Sequence, residues 1–290
     1  MSFGAWIGRE SRASDRLDEG LAARWLATFD LARPNPPVMP SPLPQGIHFA
    51  LCTPDAPSAA LGEDGHPARD NGPDSFLPPF PMPRRMWASS KIAFHAPIAI
   101  GAVIERRSRI AAISEKQGSS GPLAFVDVSH ETLANGTLAV VETQSIVYRD
   151  AARPDAPLSP PPQGDARFDP AGWDAHRSLT PDAHLLFRYS ALTFNTHRIH
   201  YDAPYAQSVE RYRGLVVHGP LIASLLLQLA AAELGENCLR SFQFRGLSPA
   251  IAGEMLHLVM RHRMDGAEAG YDLAAFADDG RQVTAASATL

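Results

Sequence analysis

Gly219-Pro-Leu-Ile-Ala-Ser-Leu-Leu-Leu-Gln-Leu-Ala-Ala-Ala-Glu-Leu-Gly235 is the stretch on which the fold turns. Pro220 suits a first helical turn, where its missing N–H is not needed, and Gly235 suits the C-terminal stop. Between them the helix is apolar almost all round. A helix docked on one face keeps a polar stripe; one without a stripe must be covered on nearly every side. A curved antiparallel sheet wrapped around it gives that cover. The chain can supply such a core, because 45% of its 290 residues are apolar, enough for one large domain or two.

Composition removes several classes of function. The 26 Lys and Arg against 31 Asp and Glu leave a net charge of −5, without the concentrated basic face of a nucleic-acid binder. Two cysteines, Cys52 and Cys238, exclude a disulfide-stapled scaffold and a Cys-based zinc knuckle. No run reaches the roughly 18 apolar residues of a membrane span, and the first twenty residues hold no apolar signal-peptide core. The expectation is a cytoplasmic protein with neither nucleic-acid nor membrane partners.

Working outward from the helix, the two halves of the chain look alike. The first holds Phe94-His-Ala-Pro97 and then Gly101; the second holds Phe244, Pro249 and then Gly253, with the same proline-to-glycine spacing. A duplicated domain accounts for this. Each half continues in strands that alternate apolar and polar residues, at Ile104–Ser114, Leu123–Thr132 and Thr137–Tyr148, then at Glu254–His262, Tyr271–Phe276 and Gln282–Thr289. Gln117-Gly-Ser-Ser-Gly121 and Ala134-Asn-Gly136 signal hairpins. Ser14–Phe29 has helical apolar spacing and predicts an amphipathic packing helix. A Pro-rich run from Thr53 to Arg84 reads as an irregular surface loop, and another from Arg153 to Gly164 as a semi-rigid linker. The expected domains are 1–150, a linker at 151–172, and 173–290.

The segment with chemical character is Thr193-Phe-Asn195-Thr-His197-Arg198-Ile-His200-Tyr-Asp202, followed by Val217-His218-Gly219 at the head of the apolar helix. Here the sequence resembles the MaoC-type hot-dog hydratases and dehydratases, whose motif reads Asp-x-Asn-Pro-x-His with a His-Gly some eighteen residues on. Pro83-Arg84-Arg85-Met-Trp87, Phe94-His95, Gln144-Ser-Ile-Val-Tyr-Arg149 and the opening Trp6-Ile-Gly-Arg9 are similar to one branch. That branch holds the mesaconyl-C4-CoA and itaconyl-CoA hydratases and the type 2 hydroxyacyl-thioester dehydratases. The resemblance implies an α+β double hot dog, two antiparallel sheets each wrapped around a central helix. It also implies a catalytic second half and a first half that only shapes the substrate tunnel, with Phe76, Phe80 and Trp87.

Hydrating an α,β-unsaturated thioester needs donors for the carbonyl oxygen, a base for water and an acid for Cα. Unpaired N–H groups at a helix N-terminus suit the first need, so Gly219 is the expected oxyanion contact. His200 is the expected acid–base residue. Asn195 stands where the motif has Asp; an amide cannot take the proton but can orient water. For Asn195 and His200 to converge, Asn195 must lie on the turn before a helix, with Thr193 or Asn195 as its N-cap. Arg198 is expected to meet a substrate carboxylate, Asp202 or a coenzyme A phosphate. His197, His218, Arg84, Arg85 and Trp87 complete the expected substrate contacts. Asp202 reads as structural. No metal is expected, because His197 and His200 lack the zinc spacing, and no dinucleotide fingerprint points to a redox cofactor. The implied reaction is reversible hydration of a short enoyl-CoA, mesaconyl-C4-CoA or itaconyl-CoA giving citramalyl-CoA, with coenzyme A as part of the substrate. Alternatives are an acyl-carrier-protein 3-hydroxyacyl dehydratase, a hot-dog thioesterase, which uses the same helix head to attack the carbonyl carbon, and a non-catalytic acyl-CoA-binding module. A homodimer is possible in either enzyme class.

Overall fold

The computed structural model describes residues 3–32, 41–118, 121–263 and 270–290. Its strands form one antiparallel sheet. The first half supplies β1 (Glu10–Arg16), β2 (Arg84–Phe94), β3 (Val103–Gly118), β4 (Gly121–Ala134) and β5 (Thr137–Arg149). The second supplies β6 (Ala175–Leu179), β7 (Ser241–Gly246), β8 (Leu256–Arg263), β9 (Gly270–Ala277) and β10 (Gln282–Thr289). Across the sheet the order is β1-β3-β4-β5-β2-β7-β10-β9-β8-β6. Counted outward from the centre, the halves repeat: β2 corresponds to β7, β5 to β10, β4 to β9, β3 to β8 and β1 to β6. The halves join where β2 pairs with β7, from Ser89 opposite Arg245 to Ala93 opposite Ser241.

The turns that fix this register are written in residue types. Gly101 and Gly253, matched in the sequence, take φ of 90° and 86° and lead into β3 and β8, a conformation glycine adopts without a Cβ penalty. Asn135 (φ 50°) and Gly136 (φ 80°) close the β4–β5 hairpin, as two positive-φ residues should. The tip of the other expected hairpin, at 119–120, lies outside the described residues.

Four α-helices accompany the sheet: α1 (Glu19–Thr28), α2 (Ala183–Thr193), α3 (Ala203–Ser208) and α4 (Gly219–Leu234). Every residue of α4 from Leu221 to Ala230 is buried. Strands β6, β8 and β9 cover one side. On another side Gly46, ahead of the 3-10 turn Ile47–Ala50, lies close to Leu227 and Trp25. One apolar core therefore serves both halves. Among the described residues a long central helix is found in the second half only, and the sheet is continuous, where two sheets each with a central helix were expected. Between α1 and β2 the described residues of the first half carry just the 3-10 turns Ile47–Ala50 and Ser58–Ala60, because proline repeatedly interrupts the run.

The expected Ser14–Phe29 helix is corrected at its start. Ser14, Asp15 and Arg16 pair with β3, and the helix begins at Glu19, where the Asp18 carboxylate accepts the Leu21 N–H at 2.7 Å. Between β5 and β6 the chain runs without helix or strand beyond an isolated bridge from Ser159 to Tyr212. No helix among the described residues is long and apolar enough to cross a membrane.

Candidate active site

The chemistry-bearing segment begins where α2 ends. Phe194 takes a left-handed conformation (φ 47°), and the chain turns through Asn195 into a 3-10 turn at Arg198–His200. The expected cap by Thr193 or Asn195 is not found. Thr193 is the last residue of α2, its hydroxyl bonded to the Tyr189 carbonyl at 2.8 Å, and the Asn195 Oδ1 accepts the His197 N–H at 3.0 Å. The cap role falls to Asp202, which accepts the Tyr205 N–H at 3.0 Å and starts α3. Asn195 does lie before the short turn that carries His200, but no hydrogen bond joins the two side chains.

His200 is buried, and its Nδ1 lies 2.7 Å from the Val216 carbonyl oxygen. A carbonyl can only accept, so Nδ1 carries the hydrogen and Nε2 presents its lone pair. Burial first, then the neighbouring His197, pushes the ring down to about 3, so it is neutral near pH 7. Its face stacks on His218 with centroids 3.6 Å apart. His218 precedes α4, is also held neutral by burial, and shares a 2.9 Å hydrogen bond between Nε2 and the Ser190 hydroxyl. Gly219, the first residue of α4, is exposed although the helix behind it is buried, and a Cβ there would meet nothing within 4 Å. No side chain caps this helix. Its first N–H groups, with the helix dipole behind them, are thus open to an oxygen atom beside a neutral imidazole.

A third element reaches this cluster from the first half. The Pro-rich run, expected as a surface loop, docks its Gly62–His66 corner onto the segment. Arg198 N–H donates to the Asp64 carbonyl at 2.9 Å, Arg198 Nη1 to the Glu63 carbonyl at 3.1 Å, and the Thr196 hydroxyl to the Gly65 carbonyl. Asp64 then accepts two bonds from His66, from the backbone N–H at 3.0 Å and ring Nδ1 at 2.9 Å. Burial works to raise the Asp64 carboxyl, but the His66 bonds outweigh it and hold it at about 2. The His66 ring lies 4.1 Å from that of His197, which meets His200 at 5.5 Å. Burial, then the nearby His66, lowers His197 to about 3. Asp64, His66 and His197 place donor atoms within 4.8 Å of one another, so a cation could be accommodated; the Asp64–His66 bonds satisfy the carboxylate without one. Reading the sequence missed Asp64 and His66. Gly65, between them at φ +85°, explains the close approach, since a Cβ there would strike the Thr196 carbonyl, but no sequence pattern announces it.

The same corner borders a cavity of about 720 Å³, lined by Asp64, His66, Arg69, Phe80, Arg85 and His197 among others. The expected arginines divide. Arg198 is committed: Nε and Nη2 grip Asp202 at 3.0 and 2.7 Å, and its guanidinium sits 3.9 Å over the Tyr205 ring. That corrects a substrate-carboxylate role and supports the structural reading of Asp202. Arg84 also lines the cavity, but it is buried and its charge is taken by Glu210 at 2.6 Å. Arg85 faces the cavity, meets the Tyr148 hydroxyl and has no carboxylate partner among the described residues. Trp87 is core rather than tunnel: its Nε1 donates to the Ser90 hydroxyl at 2.8 Å and its ring packs on Phe49 and Phe244. Phe76 packs with Phe80 in a second apolar cluster, and only Phe80 reaches the cavity wall.

Comparison with known proteins places the chain in a family and a fold. The family model for hydroxyacyl-thioester dehydratase type 2 matches residues 46–252. The mesaconyl-C(4)-CoA hydratase of Chloroflexus aurantiacus is 42% identical over 290 residues, 99% of this chain and 96% of that protein. The mitochondrial hydroxyacyl-thioester dehydratase type 2 of Schizosaccharomyces pombe is 26% identical over 74% of this chain and 77% of its own length. Among solved structures, a MaoC-like dehydratase superposes with a TM-score of 0.73 at 12% identity, covering 100% of this chain and 99% of that one. A Mycobacterium tuberculosis protein described as a double hotdog fold superposes at 0.56 and 15% identity, over 98% and 96%. The architecture is thus the double hot dog that the sequence implied, and the chain belongs to the hydroxyacyl-thioester dehydratase type 2 family.

Proposed function

We propose that the protein is a hydro-lyase that adds water reversibly to a short α,β-unsaturated acyl-CoA, with mesaconyl-C4-CoA giving citramalyl-CoA as the substrate pair. One observation carries the reading: the His200 ring, its Nδ1 held by the Val216 carbonyl and its Nε2 bare, stacks on His218, the residue that precedes the uncapped N-terminus of α4. The thioester carbonyl oxygen accepts from the Gly219 N–H, so charge that develops there on attack at Cβ is stabilised. Neutral His200 takes a proton from water. Asn195, fixed by its bond to the His197 N–H, has its amide N–H groups left to hold that water. The similarity to the mesaconyl-C(4)-CoA hydratase supports the choice of acyl group. Arg85 serves the coenzyme A phosphates from the cavity wall. Coenzyme A belongs to the substrate, and acid–base chemistry with an oxyanion contact needs no further cofactor. The cytoplasm is the compartment that fits two free cysteines.

A thioester panel tests this. With mesaconyl-C4-CoA, itaconyl-CoA, crotonyl-CoA and a longer enoyl-CoA, enoyl absorbance is expected to fall on adding enzyme, fastest with the first. The hydroxyacyl thioester should remain intact and no free thiol accumulate. Stoichiometric thiol release from a saturated acyl-CoA, without loss of enoyl absorbance, would replace the hydratase by a thioesterase.

A further inference from the structure

Three imidazoles meet at the head of α4, and none of them touches a carboxylate. His200 Nδ1 is held by the neutral Val216 carbonyl and His218 Nε2 by the Ser190 hydroxyl. Asp202 faces Arg198 and the Tyr205 N–H. A neutral imidazole backed by a carbonyl can accept a proton from water, but little around it stabilises a proton held in readiness for Cα. The Asp64–His66 pair has what the others lack. Its carboxylate grips the ring through Nδ1–H, which fixes the ring's orientation and leaves Nε2 free to face a substrate. The pair borders the 720 Å³ cavity, and His197 links it to His200 through ring contacts of 4.1 and 5.5 Å. The corner carrying it is built onto the catalytic segment by three hydrogen bonds and a glycine that nothing larger can replace.

We propose that the first half completes the active site of the second: His66, positioned by Asp64, is the proton donor to Cα that works with His200. The inference rests on the hydratase reading above. In hydration, the O–H bond of water breaks, its oxygen bonds to Cβ, and its proton goes to His200 Nε2. The π pair moves toward the thioester oxygen and returns to form the Cα–H bond with the Nε2 proton of His66, which enters the step as an imidazolium and leaves it neutral, its Nδ1–H still on Asp64. The proton on His200 then passes through His197 to His66, which restores both rings and leaves one water consumed. Asp64 touches no reacting atom; it orients His66.

The full chain carrying His66→Gln, Asp64→Asn or Asp64→Glu is assayed with mesaconyl-C4-CoA beside the wild type. A wild type without hydration would fail the hydratase reading itself, before any variant is compared. The expected result is a kcat lower by about 10²-fold in His66→Gln and by roughly tenfold or more in Asp64→Asn, with Asp64→Glu more active than Asp64→Asn. KM and the affinity for a saturated acyl-CoA should shift less than about threefold, because the donor acts on the transition state rather than on binding. Asp64→Asn is isosteric, so it decides the matter if His66→Gln fails to fold. Unchanged kcat in both variants overturns the proposal. So does a KM raised about tenfold with kcat kept, which would make the corner a docking element. Activity lost to a chelator and restored by zinc would overturn it too, by making the three residues a cation site.

Discussion

His200 carries two constraints in one ring. The Val216 carbonyl dictates which nitrogen is bare, and burial keeps the ring uncharged, so near neutral pH it can only begin as a base. His200→Gln removes that base and is expected to lower kcat by about 10²–10⁴-fold, with melting temperature and acyl-CoA affinity little changed; a variant that keeps wild-type turnover would move the base elsewhere. Asn195 has the milder role of holding water, so Asn195→Ala should lose activity while Asn195→Asp retains it, as steady-state rates would show. Arg198 gives the opposite kind of test. Its charge is spent on Asp202 and Tyr205, so Arg198→Ala should lower turnover of mesaconyl-C4-CoA and crotonyl-CoA alike. A selective loss for the substrate with a free carboxylate would restore the recognition role that the ion pair argues against.

Among the elements, α4 and the Gly62–His66 corner position the site by different physics. Leu226 is fully buried within α4, and Leu226→Ala removes packed atoms that the surroundings cannot wholly replace. The expected cost is about 2–5 kcal/mol in denaturant unfolding. The corner has little apolar burial and depends on close backbone approach. Gly65→Ala is strained at φ +85° and drives a Cβ into the Thr196 carbonyl, so the corner must lift away. Enzyme activity should fall while global stability changes little; a fully active Gly65→Ala variant would show that docking is dispensable. These two elements also explain what could be read from the chain. The apolar helix, the alternating strands and the paired glycines obey local periodicities, and they revealed a duplicated antiparallel sheet around a buried helix; the double hot dog itself came from the family resemblance. The His200, His218 and Gly219 grouping was legible because it brackets the helix head. Asp64 and His66 were not, because Gly65 and Thr196 meet across 131 residues and no local pattern marks that contact. The sequence left the partner of Arg198 open among three, and gave no sign of the one Arg84 takes, for the same reason. A charged side chain looks available until its partner, Glu210 or Asp202, is folded against it.

For the molecule as a whole, the duplicated sheet encloses more imidazole than its stability can ignore at low pH. Burial lowers His48 and His200 to about 3, His130 to about 4 and His197 to about 3, and lowers His218 as well. Below the usual value near 6.5 the unfolded chain binds protons that the folded chain refuses. Stability therefore rises with pH across the window from about 3 to 6.5, and is lost as pH falls through it. Two carboxyls that burial raises, Glu142 and Glu210, oppose this. Burial raises Glu142 to about 7, beside His48 at 4.0 Å, so its contribution runs the other way, shrinking as pH rises from about 4.5 to 7. With burial disfavouring charge on both partners, that pair is better described as two neutral groups than as an ion pair. Five imidazoles against two carboxyls, at about 1.4 kcal/mol for each unit of displacement, leave the acid side dominant. The melting temperature is expected to fall steadily as buffer pH is lowered from 7 to 4.5. Replacing His130, whose two side-chain bonds join Ser108 and Gln144, by Gln should flatten part of that slope. A melting temperature flat across this range, in buffers of equal ionic strength, would mean that the imidazoles are not held neutral in the folded chain.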